Sequence, residues 1–260
     1  MWFFSPPSES KFRKAVGGLV VMMMILLLFR AVSYQHFVIP SGSMIPTLQV
    51  GDFLMINKSS YGYSRFNLPF YLPLIHGRIF NKNKPQIGDV IVFTNPKNHK
   101  MEYIKRCVGT PGDRVQIRQG KLYINGVVCQ YEPAETEKIR NPEGMEIEYH
   151  CYWETLPNGV RHKIMITEDS KEARTLDSRN NTEEFIVPQE HYFALGDNRN
   201  QSQDSRYSDP GFVPYDHFLA KASLVCLSFD VNFNKVTLNP LTWYNLRIYP
   251  RWGRFGTKVN

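Results

Sequence analysis

Two short segments carry side chains able to work together as nucleophile and base. In FVIPSGSMIPTLQVGDFLMIN, Phe37 to Asn57, Pro40 and Pro46 fix φ on either side of a Ser-Gly-Ser. Ser43 is thereby held on a stiff turn between two strand-like runs, and Gly42 lets another backbone come close. Such a serine attacks a carbonyl once a base takes its proton, although serine in a Pro/Gly turn is more commonly plain turn chemistry. The sequence has no G-x-S-x-G elbow, and its histidines stand in ordinary polar or loop-like surroundings. A Ser-His-Asp triad is therefore disfavoured.

A lysine is the better base. In MEYIKRCVGTPGD, Met101 to Asp113, the stretch Tyr103 to Val108 reads as a strand with Tyr103, Lys105 and Cys107 on one face. An inward-turned Lys105 would lose its hydration and with it part of its affinity for a proton, which is the condition for a neutral amine near physiological pH. Arg106 points the other way and stays charged. The plain alternative for Lys105 is a solvent-facing strand residue. A third segment, ALGDNRNQSQDSRYSDPG, Ala194 to Gly211, follows the apolar run HYFAL. It reads as a polar loop packed on a core and held by its own hydrogen bonds and ion pairs, against the alternative of a solvated turn. Cys107, Cys129, Cys151 and Cys226 form no C-x-x-C and no zinc-like Cys/His spacing, so no structural metal is expected. A Cys129 to Cys151 bridge fits a compartment outside the cytoplasm, while buried free thiols are the simpler expectation.

These residues need elements to hold them. Ala15 to Phe29 carries no charge and follows Lys11, Arg13 and Lys14, which reads as a membrane helix or a signal peptide. That stretch alone reaches roughly 22 Å, short of the ~30 Å hydrocarbon core, so flanking residues through Val32 must contribute, with Arg30 snorkelling. The basic cluster puts the N-terminus in the cytoplasm and the rest of the chain outside. Ala31-Val32-Ser33 has the small-x-small form of a cleavage site, but a retained anchor is the preferred reading. Ser43 then lies within about 36 Å of chain from Ser33, close to the bilayer.

The 260 residues carry a net charge of +7, with 42% hydrophobic and 21% charged residues, enough apolar surface for a core and too little charge for a disordered chain. Aromatic residues at 13%, with 17 Pro and 17 Gly, favour short strands joined by turns. The modest positive excess suits anionic lipid, and no zinc-finger, RNP-like or basic-helix pattern supports a nucleic-acid partner. VQIRQGKLYINGV reads as a hairpin with a Gln-Gly turn. EPAETEKIRNPEGMEIEYHCYWETLPNGV reads as turn-rich and exposed, without an assigned function. NLPFYLPLIHGRIF, Asn67 to Phe80, is an apolar, Pro-broken loop suited to the bilayer interface or to a place under the core. The tail from Trp243 to Lys258 interleaves Trp243, Tyr244, Tyr249, Trp252 and Phe255 with Arg247, Arg251, Arg254 and Lys258, a pattern suited to lipid head groups.

Four boxes in this order, PSGSMIPTL at Pro40 to Leu48, IGDVIVF at Ile87 to Phe93, YIKRCVGTPGD at Tyr103 to Asp113 and GDNRNQSQDSR at Gly196 to Arg206, resemble type I signal peptidases, the leader peptidases of exported proteins. The resemblance spans roughly 170 residues plus the N-terminal apolar segment. It implies a mostly β fold: an antiparallel catalytic core over 33–113 and 188–260, a smaller β module over 114–187, an anchor over 15–32 and a cytoplasmic stretch over 1–14. It implies a single-pass protein of the bacterial cytoplasmic membrane, with the catalytic domain on the extracytoplasmic side.

By the same resemblance the activity is that of a cofactor-free Ser-Lys dyad serine protease acting on the signal peptides of exported preproteins. Ser43 matches the nucleophile and Lys105 the general base. Ser41, with the Ser43 backbone N–H, matches the oxyanion donors, and Ser202 matches the serine that orients the lysine. Asp197 with Arg106, and Asp204 with Arg206, match supporting ion pairs. Ile39, Pro40, Met44, Leu48, Tyr103 and Ile104 match the wall of a first substrate pocket, while Phe37, Leu54 and Val92 match a second; both admit only small residues. Core packing is the plain account of these apolar positions. The chain departs from the best-known enterobacterial members in having one membrane helix rather than two, in Cys107 after Arg106, and in a shorter 114–187 stretch. Two rivals remain: a specialised pilin or conjugation maturation peptidase, and an inactive membrane-anchored binding module. A self-cleaving repressor also uses a Ser-Lys pair, but it would need a DNA-binding module where this chain has its apolar segment.

Overall fold

A computed structural model describes residues 9–32, 34–67, 76–80, 83–140, 146–166, 179–230 and 249–259. The first element is α1 (Glu9–Val32), a helix of 24 residues. Its described side chains, 12–26, are all exposed. Among the described residues no helix is long and apolar enough to cross a membrane, and the C-terminal part of the expected span, from Leu27, lies outside the described side chains.

The main sheet is antiparallel and positions the chemistry. Its strands run β1 (Tyr34–Val38), β2 (Asp52–Asn57), β17 (Phe218–Asp230), β5 (Val90–Thr94), β6 (Glu102–Gly109), β15 (His191–Leu195) and β16 (Val213–Pro214), in that spatial order. β17 is the long connector, pairing Val225 with Leu54 on one side and Ala220 with Val92 on the other. Register shifts between Phe218 and Ala220, Ala222 and Leu224, and Val225 and Leu227 bulge it. Bulges bend a strand and add twist, so β17 curls the sheet around an interior. The short β18 (Tyr249–Pro250) and β19 (Thr257–Lys258) also pair with β17 and bring the C-terminal segment onto it. β5 is buried at every position and β6 from Ile104 to Gly109, so both faces of this centre are covered.

Two smaller sheets use the chain between β6 and β15. One joins β7 (Arg114–Arg118), β8 (Lys121–Ile124), β9 (Val127–Val128) and β14 (Phe185–Ile186). The β7–β8 connection is the expected Gln-Gly turn, with φ of 50° at Gln119 and 75° at Gly120, the left-handed pair a tight two-residue hairpin requires. The other sheet joins β10 (Gln130–Pro133), β11 (Glu137–Arg140), β12 (Glu146–Thr155) and β13 (Arg161–Ile166). The stretch read as turn-rich and exposed therefore contains a ten-residue strand, β12, flanked by partners on both edges. Prolines and glycines on either side of EIEYHCYWET dominated the sequence pattern, while cross-strand pairing decided the conformation.

The stretch expected as an apolar loop, Asn67 to Phe80, lies largely outside the described residues. Its described end is not free: β4 (Arg78–Ile79) pairs with β3 (Tyr63–Ser64). Arg78 donates to the carbonyls of Tyr61, Gly62 and Tyr215 at 3.1, 2.8 and 2.9 Å. All four cysteines are free thiols. Cys129 packs in the cluster with Val115 and Leu122, Cys151 in another with Ile45 and Met165, so no Cys129–Cys151 bridge forms.

Candidate active site

The turn carrying Ser43 lies between β1 and β2, which pair antiparallel from Tyr34–Asn57 to Val38–Phe53. Within it, the Ile45 N–H donates to Gly42 O at 3.2 Å and the Leu48 N–H to Met44 O at 2.9 Å. Ser43 is buried and Ser41 exposed. Lys105 reaches this turn from β6, where it pairs with Ile91 of β5. Its Nζ lies 2.7 Å from Ser43 Oγ and donates to its neighbour's carbonyl, Ile104 O, at 2.8 Å. The Tyr103 ring sits 5.4 Å from that nitrogen.

Lys105 is 4% exposed. Burial removes the water that would stabilise an ammonium and lowers its pKa to about 8; Asp204 and Asp197 pull it back up, while Arg206 pushes it down. An amine with that pKa is partly neutral near pH 7 and has a lone pair for a proton 2.7 Å away. The seryl oxygen and the amine are thus in contact in a site shielded from water, an arrangement with the geometry for proton transfer between them.

Arg106, on the opposite face of β6, is fully buried and grips Asp197 with two bonds, Nε to Oδ1 at 2.9 Å and Nη2 to Oδ2 at 2.8 Å. Burial alone would raise the Asp197 pKa, but the Arg106 guanidinium outweighs it and holds the carboxyl below its ordinary range. Asp197 also accepts from Thr47 Oγ1 at 2.6 Å, which ties the loop after β15 to the turn carrying Ser43. Asp204 and Arg206 pair within that loop, Nε to Oδ1 at 2.8 Å, and Asp204 accepts the Gly196 N–H at 3.0 Å. Ser202 is buried beside Gly196, and no described hydrogen bond joins its hydroxyl to Lys105. A Cβ at Gly196 would lie 2.1 Å from Ser202 Oγ and 2.6 Å from Ser43 O, so only glycine lets the loop approach this closely.

The apolar residues matched to two substrate pockets gather in one cluster. Ile39, Met44, Leu48, Leu54, Val92 and Ile104 are all buried there, with Phe37 packed against it. Tyr103 packs instead with Phe93 and Cys107, and Pro40 is exposed. The Cys107 thiol is fully buried, and burial pushes its pKa far up, so it carries no thiolate for reaction.

Several residues to which the sequence pattern assigned no role join this site. Asn198 donates from its backbone N–H to Ser43 O and from Nδ2 to Gly42 O, both at 3.1 Å. Arg199 pairs with Glu154 of β12, and His162 of β13 lies between Glu154 and Asp197, contrary to its reading as an ordinary polar-loop histidine. Arg254 donates to Thr47 O at 3.0 Å and to Asp52 Oδ2 at 2.5 Å, and Arg251 donates to Gln49 Oε1 at 2.5 Å. These two arginines, expected to face lipid head groups, are bound to protein acceptors beside the Ser43 turn. Among the described residues no group of three His, Cys, Asp or Glu could hold a metal.

The model of the family described as "Signal peptidase, peptidase S26" matches residues 12–227. The chain belongs to this family. It is a serine endopeptidase. A signal peptidase I of Rickettsia massiliae (strain Mtu5) is 38% identical over 219 residues, covering 84% of this chain and 80% of that protein. A signal peptidase I of Rickettsia akari (strain Hartford) is 39% identical over 211 residues, covering 80% of this chain and 77% of the relative. The crystal structure of a signal peptidase I from Enterococcus faecalis V583 aligns at 28% identity with a TM-score of 0.30, over 54% of this chain and 98% of that one.

Proposed function

We propose that the protein removes N-terminal signal peptides from exported preproteins, using Ser43 as nucleophile and Lys105 as general base. The observation that carries the reading is the 2.7 Å contact between Lys105 Nζ and Ser43 Oγ, with both groups buried. Neutral Lys105 takes the hydroxyl proton as Ser43 Oγ attacks the scissile carbonyl carbon. The resulting ammonium gives that proton to the leaving amine, and the regenerated amine activates the water that hydrolyses the acyl-enzyme. No described hydrogen bond uses the Ser43 N–H, which leaves it available to the oxyanion together with the exposed Ser41 hydroxyl. A donor of this kind contributes about 3 to 4 kcal/mol to lowering the barrier. Ser202 supplies a buried hydroxyl for orienting the amine, and the Arg106–Asp197 and Arg206–Asp204 pairs hold the loop around it.

Cleavage follows small-x-small sites. A substrate strand laid beside Ser43 would meet the apolar cluster of Ile39, Met44, Leu48, Leu54, Val92 and Ile104, and a shallow apolar surface of that kind selects small side chains such as Ala by excluding larger ones. The main sheet draws its strands from 34–109 and 191–258 and the smaller sheets from 114–186, which supports a catalytic part over 33–113 and 188–260 around a module over 114–187. Residues 15–32 anchor the chain in the cytoplasmic membrane, with the catalytic part outside: α1 is 24 residues long, its described side chains are exposed, and Lys14 immediately precedes an uncharged run. Tyr249 and Trp252, both exposed, add contact with lipid.

The test is cleavage of a preprotein by the detergent-solubilised chain across pH. Activity should rise through an acid limb near pH 8, because the lysine must lose its proton first. It should vanish in Ser43→Ala and in Lys105→Ala. A limb near the ordinary lysine value, about 10.4, or processing that survives Lys105→Ala, would reject the assignment.

A further inference from the structure

The second small sheet sends three polar side chains toward the loop after β15. Glu154, fully buried on β12, receives Arg199 Nη1 on Oε1 at 2.9 Å and Arg199 Nη2 on Oε2. Tyr131 of β10 donates its hydroxyl to the same Oε1 at 2.5 Å. His162 Nε2, from β13, lies 3.1 Å from Glu154 Oε2 and 3.7 Å from Asp197 Oδ1. The backbone is stitched as well: Met165 N–H donates to Asp197 O at 2.9 Å and Arg199 N–H to Met165 O at 3.0 Å, making Asn198 a parallel bridge partner of Met165. On its other side the same three-residue segment holds the chemistry. Asp197 takes Arg106, the neighbour of Lys105, and Thr47; Asn198 takes the carbonyls of Gly42 and Ser43.

We propose that Glu154 is a positioning residue for the Ser43–Lys105 pair, fixing the 197–199 segment through Arg199 and His162. The inference rests on the dyad reading above. Burial of Glu154 and Arg199 is a poor device for stability alone, since apolar residues of similar volume commonly do as well; its better-attested use is to select one register among near alternatives. The segment needs such a device. Its neighbours at Ser43 are turn carbonyls, and displacement of a reacting group by about 1 Å costs up to about 100-fold in rate. The charge is well determined: burial would raise the Glu154 pKa, but the Arg199 guanidinium and His162 outweigh it and hold the carboxyl well below its ordinary range. The groups facing it are Arg199 of the loop, His162 of β13 and Tyr131 of β10, with Asp197 and Arg106 of β6 behind His162. Displacing the segment would also draw Asp197 away from Lys105. Because Asp197 raises the lysine's pKa, its retreat moves the acid limb of activity to lower pH.

The experiment compares the full detergent-solubilised chain with Glu154→Gln, Glu154→Asp, and the double variant Glu154→Met with Arg199→Met, in preprotein cleavage across pH. Expected is a kcat lower by about 10- to 100-fold with KM little changed, and an acid limb displaced to lower pH, in Glu154→Gln and more mildly in Glu154→Asp. Glu154→Asp keeps the charge, and the double variant removes both charges together, so folding does not depend on an unpaired buried guanidinium. The double variant should melt near the parent temperature while staying slow. Parent kcat and acid limb in Glu154→Asp, or full kcat restored in the double variant, would reduce Glu154 to a counter-charge and overturn the proposal. Ser43→Ala and Lys105→Ala run in parallel: activity in either sinks the dyad reading, whereas their inactivity beside unimpaired Glu154 variants sinks only this one.

Discussion

Replacing Lys105 by Met tests whether the site holds its amine in a costly, dehydrated state. The ordinary lysine value of 10.5 falls to about 8 in the fold. At about 1.36 kcal/mol per pH unit, that difference corresponds to about 3 kcal/mol of folding stability lost whenever the amine is protonated. The depressed folded pKa fixes the sign: the unfolded chain binds the extra proton between about pH 8 and 10.5, so parent stability rises with pH across that window. Below it the penalty is full, and above it the penalty is gone. Met fills similar space without a charge but leaves Ile104 O and Ser43 Oγ without their amine partner, a cost of about 1 to 3 kcal/mol that does not titrate. Lys105→Met should therefore match or exceed the parent in stability at neutral pH, by up to about 2 kcal/mol, and fall below it in strong alkali. Urea unfolding of the full chain in detergent micelles at a series of pH values measures this. A parent-minus-variant difference that stays flat with pH would refute the argument, because a solvated lysine would give that line.

Asp197→Asn leaves the fully buried Arg106 without its counter-charge and should cost about 3 to 5 kcal/mol, read as a lower melting temperature and weaker urea resistance. An unchanged melt would show that other groups neutralise Arg106. Tyr249→Ser with Trp252→Ser, in a form lacking the first 32 residues, should weaken partitioning onto anionic liposomes by about tenfold or more. Equal partitioning would remove these rings from the lipid contact.

The parts of the site that lie close in sequence were readable there. Pro40, Gly42 and Pro46 mark the turn because they act locally, and alternation along Tyr103, Lys105 and Cys107 marks the strand because its period is local as well. The relation between the turn and the strand is not a local property; it came from the resemblance. Glu154, Arg199 and His162 were missed for the same reason. A carboxylate in EIEYHCYWET looks solvent-facing until a guanidinium 45 residues later closes on it, and His162 is unremarkable until Asp197 lies beside it. Arg251 and Arg254 show the converse error. Cations set among aromatic rings resemble a lipid-binding tail, yet Asp52 and the carbonyls of Thr47 and Val50 claim their guanidinium groups. Local pattern reports what a side chain prefers, and long-range contacts decide what it does.

The contact between Arg254 and Thr47 joins positions 207 residues apart. A chain in synthesis therefore makes the Ser43 turn long before it makes the guanidinium that clasps it. Loss of the Arg254 guanidinium would slacken that turn from the far end of the fold without touching either the hydroxyl or the amine.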